Sequence, residues 1–135
     1  MMNDAEIQIQ FPKPGTWQEF TLTAIYQDKG GYRPPARYTQ DEIPADQALA
    51  MQAVVSALVE LAEPWQAVQV WARLGITMTY DVANDRSEYV FAVVLTVDAV
   101  NPQGGRRVFT SRDYPAFVIT EPAAVEFFKF FTTNQ

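Results

Sequence analysis

The sequence predicts an α+β domain: an antiparallel sheet of about five strands with two helices packed on one face, in the order β-β-α-β-β-β-α. Three observations predict it. Several segments alternate apolar and polar residues with a period of two. Two others repeat at the helical period. Short Pro/Gly turns join most of the alternating segments, and no βαβα series occurs, so hairpins and not parallel crossovers connect the strands. A doubly wound nucleotide-binding sheet is disfavoured for the same reason.

Residues 6–11 place Ile7, Ile9 and Phe11 on one face of a half-buried strand, which Pro12-Lys13-Pro14-Gly15 ends. Residues 17–27 resume the alternation through Phe20, Leu22, Ala24 and Tyr26, giving a hairpin. Residues 28–43 read as a loop because Gly30-Gly31 and Pro34-Pro35 exclude a regular interior element. A loop of that length tends to be functional.

Residues 44–62 read as the clearest helix, with Met51, Val54, Val55, Leu58, Leu61 and Ala62 on one face and Pro64 beyond its end. Residues 65–80 could continue as a helix, but Val68, Val70, Ala72, Leu74, Ile76, Met78 and Tyr80 hold a period of two too long for that, so a strand is preferred, with Gly75 as a candidate bulge. Residues 81–87 turn the chain. Residues 88–100 are apolar on both faces, the pattern of a central strand covered on both sides, which places Phe91 and Val93 in the core. Residues 106–112 return as a further strand, Pro115 interrupts it, and residues 116–119 form a short strand or edge. Thr120, Glu121 and Pro122 open the last helix, on which Phe127, Phe128, Phe130 and Phe131 share one side.

The 135 residues make one domain, 1–135, large enough for a core without metal or disulfide. Cysteine and histidine are both absent, which excludes thiol and Ser-His-Asp chemistry within the chain and ordinary zinc sites. The net charge of −6 opposes nucleic acid and anionic lipid at long range. The first residues lack the basic and apolar regions of a signal peptide, and no apolar run reaches membrane-spanning length, so a cytoplasmic protein without a membrane partner is expected.

Arg33 and Arg37 with Lys29, and Arg106, Arg107 and Arg112, gather six of the ten basic residues into two segments interleaved with Tyr32, Tyr38, Phe109 and Tyr114. Arginine beside aromatic rings suits phosphate or single-stranded bases, provided the segments converge; otherwise these side chains solubilise loops and pair with carboxylates. Asp81, Asn84, Asp85 and Glu88 form an oxygen-rich turn that departs from calcium-loop spacing and reads better as turn chemistry. Glu60 and Glu63, and Asp41-Glu42, are solvated before they are catalytic. Gly30-Gly31 and Gly104-Gly105 lack phosphate-loop context. Phe127, Phe128, Phe130 and Phe131 are core or a subunit interface.

No cofactor fingerprint is present. The expectation is a non-catalytic interaction or structural module, of phage-accessory or immunity-like character, acting through a protein partner or self-association. An arginine-loop binder of a phosphorylated ligand or single-stranded nucleic acid is the alternative, and a carboxylate-dependent enzyme the second alternative.

Overall fold

The computed structural model describes residues 6–11, 20–25, 36–39, 42 and 47–133. Seven strands form one antiparallel sheet: β1 (Glu6–Gln10), β2 (Thr21–Ile25), β3 (Ala36–Thr39), β4 (Gln66–Asp81), β5 (Arg86–Val100), β6 (Arg106–Phe109) and β7 (Val118–Ile119). Their order is β3-β2-β1-β4-β5-β6, and β7 also pairs with β5. Two helices, α1 (Ala48–Leu58) and α2 (Pro122–Thr133), complete the α+β fold.

Register explains the layering. Ile7 and Ile9 lie opposite Ala72 and Val70, which lie opposite Leu95 and Val97. Side chains alternate across a strand, so these residues share one face. That face joins Ala50, Val54, Ala57 and Leu58 of α1 and Ala124, Val125, Phe127 and Phe128 of α2 in a single buried cluster. Both helices therefore cover the same side. The opposite face carries Gln8, Gln69, Trp71, Arg73, Thr96 and Asp98.

Residues 65–74 belong to sheet, as the two-residue rhythm implied, and β4 with β5 makes the longest hairpin of the chain. The bulge lies between Ala67 and Gln69, not at Gly75, which pairs regularly with Ala92. Val68 is the extra residue, and it reverses the alternation: Ala67 before it and Val70 and Ala72 after it all face the core. Gly75 has another use, since a Cβ there would come within 3.2 Å of Val94 Cγ2.

Two further expectations are corrected. β5 is covered more fully on one face than on the other: Val93, Leu95, Val97 and Ala99 are buried, whereas on the opposite face Ala92 is buried and Val94, Thr96 and Asp98 are half-buried. Phe91, on the covered parity, is nevertheless half exposed, at the margin of the cover that α2 provides. Residues 28–43 are also not all loop, since Ala36–Thr39 adds β3 at the sheet edge.

The helices are shorter at one end than the pattern suggested. After Leu58 the backbone bonds tighten from Val59 N–H to Val55 O, to Glu60 N–H to Ala57 O, and Leu61 N–H to Leu58 O, closing α1 before Pro64 is reached. β6 stops at Phe109 because Thr110–Asp113 folds into a turn: the Thr110 N–H donates to Asp113 Oδ2 at 2.9 Å. A short 3-10 turn at Pro115–Phe117 then returns the chain to β5 as β7, so β6 and β7 are one edge strand with an excursion between them. Phe109, Tyr114, Phe117 and Trp65 pack ring on ring beneath that excursion.

Burial sets the expected mutational costs. Leu95→Ala is expected to cost about 2–5 kcal/mol and Phe128→Ala about 3–5 kcal/mol. Phe91→Ala is expected to cost clearly less than Phe128→Ala, since half of its side chain is already in water. Urea unfolding of the three variants checks the ranking.

Candidate functional site

The hairpin outruns its cover. Helices of 11 and 12 residues span roughly 17–18 Å. A strand of 16 residues spans roughly 53 Å. β1 pairs with β4 only over Gln69–Ala72, and β7 meets β5 only at Val93 and Val94. From Gly75↔Ala92 to Asp81↔Arg86 the ribbon has no third strand among the described residues. It projects as a two-stranded arm.

The core face continues along this arm. Ile76 lies opposite Phe91, and Met78 opposite Tyr89, on the parity of Val70, Ala72, Val93 and Leu95. Tyr80 follows on the same side. These five are large, apolar or aromatic, and open to water: Ile76 is 68% exposed, Met78 58%, Tyr80 58%, Tyr89 77% and Phe91 50%. The reverse side of the arm carries Thr77, Thr79 and Glu88 with Val90 among them, and Gly75 with the buried Ala92 at its root. The arm is thus amphipathic, with its apolar strip joined to the core through the partly buried Leu74.

Polar groups close each end of the strip. At the tip, Tyr80 donates its hydroxyl to Asp85, which holds φ 49 to close the turn, a conformation aspartate tolerates. That bond favours the protonated phenol and raises the Tyr80 pKa. Asp81 accepts from Asn84 Nδ2 at 2.6 Å and from the Ala83 and Asn84 N–H groups. The Asn84 side chain is the main reason its carboxyl sits below the usual range. At the root, Lys129 of α2 places Nζ 5.1 Å from the centre of the Phe91 ring.

The residues singled out from the sequence fall elsewhere. Arg37 is on β3 and Arg106 and Arg107 are on β6, at opposite edges of the sheet. Five strand spacings of about 4.8 Å, roughly 24 Å, separate β3 from β6. Arg33 lies outside the described residues, as does the side chain of Arg37. Arg106 and Arg107 themselves point to opposite faces. Arg107 stacks over Phe109 at 4.5 Å and sits 3.7 Å from Asp113, and the Arg112 N–H donates to Thr110 Oγ1 within the same turn. Phe127 and Phe128 are core of this chain and present no face to a partner. Phe130 and Phe131 lie on the last turns of α2, their side chains outside the described residues.

The oxygen-rich turn at Asp81–Glu88 uses its carboxylates internally: Asp81 on Asn84, Asp85 on Tyr80 and Glu88 on Arg86 at 3.4 Å. Among the described residues no group of three metal-ligating side chains comes together. Glu60 and Glu121 border an open depression of about 400 Å³ beside α1, and Arg106 borders another of about 390 Å³ at the end of the sheet. Both are surface hollows, not enclosed clefts of the kind that desolvate reacting groups. Among the described residues no helix is long and apolar enough to cross a membrane. Comparison with known proteins finds no matching family model, no matching curated protein and no matching solved structure.

Sequence reasoning missed the arm strip. The signal was present in the mismatch between two long alternating segments and two short helices.

The tip makes its own pH dependence. A carboxyl with a lowered pKa contributes turn stability above the unfolded value and loses it as pH falls through the folded value. An NMR titration following the Ala83 and Asn84 amides is expected to give a midpoint below the ordinary aspartate value of about 3.9. A midpoint at or above that value would contradict the bonding at Asp81. Asp81→Ala is expected to remove the transition.

Proposed function

We propose that the chain is a non-catalytic interaction module and that the β4–β5 arm is its contact surface. The observation that carries this reading is the apolar strip Ile76, Met78, Tyr80, Tyr89 and Phe91, held open to solvent on a regular ribbon. Soluble monomers rarely display contiguous apolar patches beyond a few hundred Å², and larger ones mark contact sites. Aromatic side chains bury about 150–250 Å² each when covered, so the strip offers on the order of 600 Å². Aromatic residues and methionine are also the types enriched at protein interfaces.

Rigidity supports the same reading. The cross-strand pairs fix the strip on a ladder in unbroken register from Gln69↔Asp98 to the tip, so little side-chain or loop ordering remains to oppose association. The reverse side carries Thr77, Thr79, Glu88 and a single larger apolar residue, Val90, so the large apolar side chains of the arm are concentrated on one face. The absence of histidine and cysteine from the chain accords with a role that transfers no protons or electrons.

In-cell photocrosslinking tests the assignment. A benzophenone-bearing residue in place of Tyr89 is expected to give discrete protein adducts. The same residue in place of Gln52, exposed on α1, is expected to give none. Adducts from the helix position but not from the arm would refute the reading.

A further inference from the structure

Resting on the reading of the arm as a contact surface, we infer that its partner is a second copy of this chain, the two arms stacking strip on strip in opposite directions across a twofold axis.

Three features point to a self-complementary contact. The first is area. A standard stable interface takes about 800 Å² from each partner. The strip supplies on the order of 600 Å² of apolar surface, and the rim of the arm would furnish the rest.

The second is the arrangement of charge along the strip. Asp85 stands at the tip on the side of Tyr80, and Lys129 stands at the root over Phe91. Six residues of strand separate Asp85 from Phe91, roughly 20 Å. Turning one arm end for end over another brings each tip carboxylate above the other copy's root ammonium. One rotation satisfies both ends at once, as an isologous contact requires. Parallel stacking would instead set Asp85 against Asp85 and Lys129 against Lys129. The overall charge of −6 does not oppose this, because repulsion between distant groups is screened beyond about 8 Å.

The third is the ribbon itself. A two-stranded hairpin is marginal in water and gains stability from packing on a hydrophobic face. Two such faces stacked about 10 Å apart make the sandwich that a single arm lacks. With the axis near the middle of the strip, Met78 of one copy lies close to Met78 of the other, while the two Val82 tips lie at opposite ends.

The chain has no cysteine, so single introduced thiols read this geometry directly. Sedimentation equilibrium of the purified full chain is expected to show a concentration-dependent species of twice the 15.2 kDa chain mass. Phe91→Ser is expected to raise the dimer dissociation constant by about 30-fold or more, the size of an interface hot spot. Lys129→Glu is expected to raise it about fivefold, with the circular dichroism of both variants unchanged. Under mild copper–phenanthroline oxidation, Met78→Cys is expected to form a disulfide-linked dimer and Val82→Cys is not. Both positions are exposed, so neither substitution threatens the fold. Linkage through Val82→Cys, or equal linkage at both positions, overturns the antiparallel arrangement. A chain that stays monomeric throughout overturns the inference altogether. If that monomer's arm still crosslinks to a different protein in cells, the contact-surface reading survives and only the identity of the partner falls. If the arm crosslinks to nothing, both fall.

Discussion

The antiparallel ladder between β4 and β5 is the interaction on which the rest depends. It runs from Gln66↔Val100 to Asp81↔Arg86, with one irregularity at Val68. A slip of one residue would turn the core side chains of one strand to the opposite face. Either Val70 and Ala72 or Leu95 and Val97 would leave the core, and α1 and α2 would lose part of the surface against which they pack. The ladder must therefore be pinned, and it is pinned at each end. The tip turn is fixed by Asp81, Asn84 and Asp85 through bonds to their own neighbours. The root is fixed by the Val68 bulge, which lets Ala67 join the same buried face as Val70.

That ladder has one face but two environments. Along its root half, short strands extend the sheet and two helices cover it. Along its outer half no third strand pairs with it among the described residues, and α2 meets it through Lys129 over the Phe91 ring. The change is a matter of length and not of composition, because the large apolar residues continue without interruption from Leu74 to Tyr80 and back from Tyr89. A chain that merely needed a longer hairpin could have carried threonine and charge on both sides of the arm, as at Thr77, Thr79 and Glu88 on the reverse side. Stability of the isolated domain gives no reason for Ile76, Met78 and Tyr89, which each leave more than half of their surface in water.

Much of this fold was legible in the sequence, and the reason is periodicity. The preference for strand over helix at residues 65–80 came from a period of two held too long for 3.6, and the pairing of that segment with residues 88–100 followed from the turn between them. What escaped was anything set by how far one element reaches over another. Phe91 reads as core because its neighbours are apolar, yet it is half exposed, with Lys129 of α2 over its ring. Phe127 and Phe128, on α2, are buried against the sheet, and apolar character alone does not distinguish the cases. Where two segments sit relative to each other is likewise set by strand order, which places β3 and β6 at opposite edges and is a property of the closed sheet. The Val68 bulge was hidden because alternation before and after it looks continuous in a run of apolar residues.

The length mismatch also constrains how the arm can act. Its ladder is continuous with that of the core, so a load on the tip passes into β4 and β5 without crossing a hinge. A flexible loop bearing the same aromatic residues would lose conformational freedom on binding, whereas the ribbon has lost it already on folding. The ribbon in turn is held by the root half, where Leu95 and Val97 are fully buried under the helices. The core of this small domain is therefore the anchor for the arm that extends beyond it through β4 and β5.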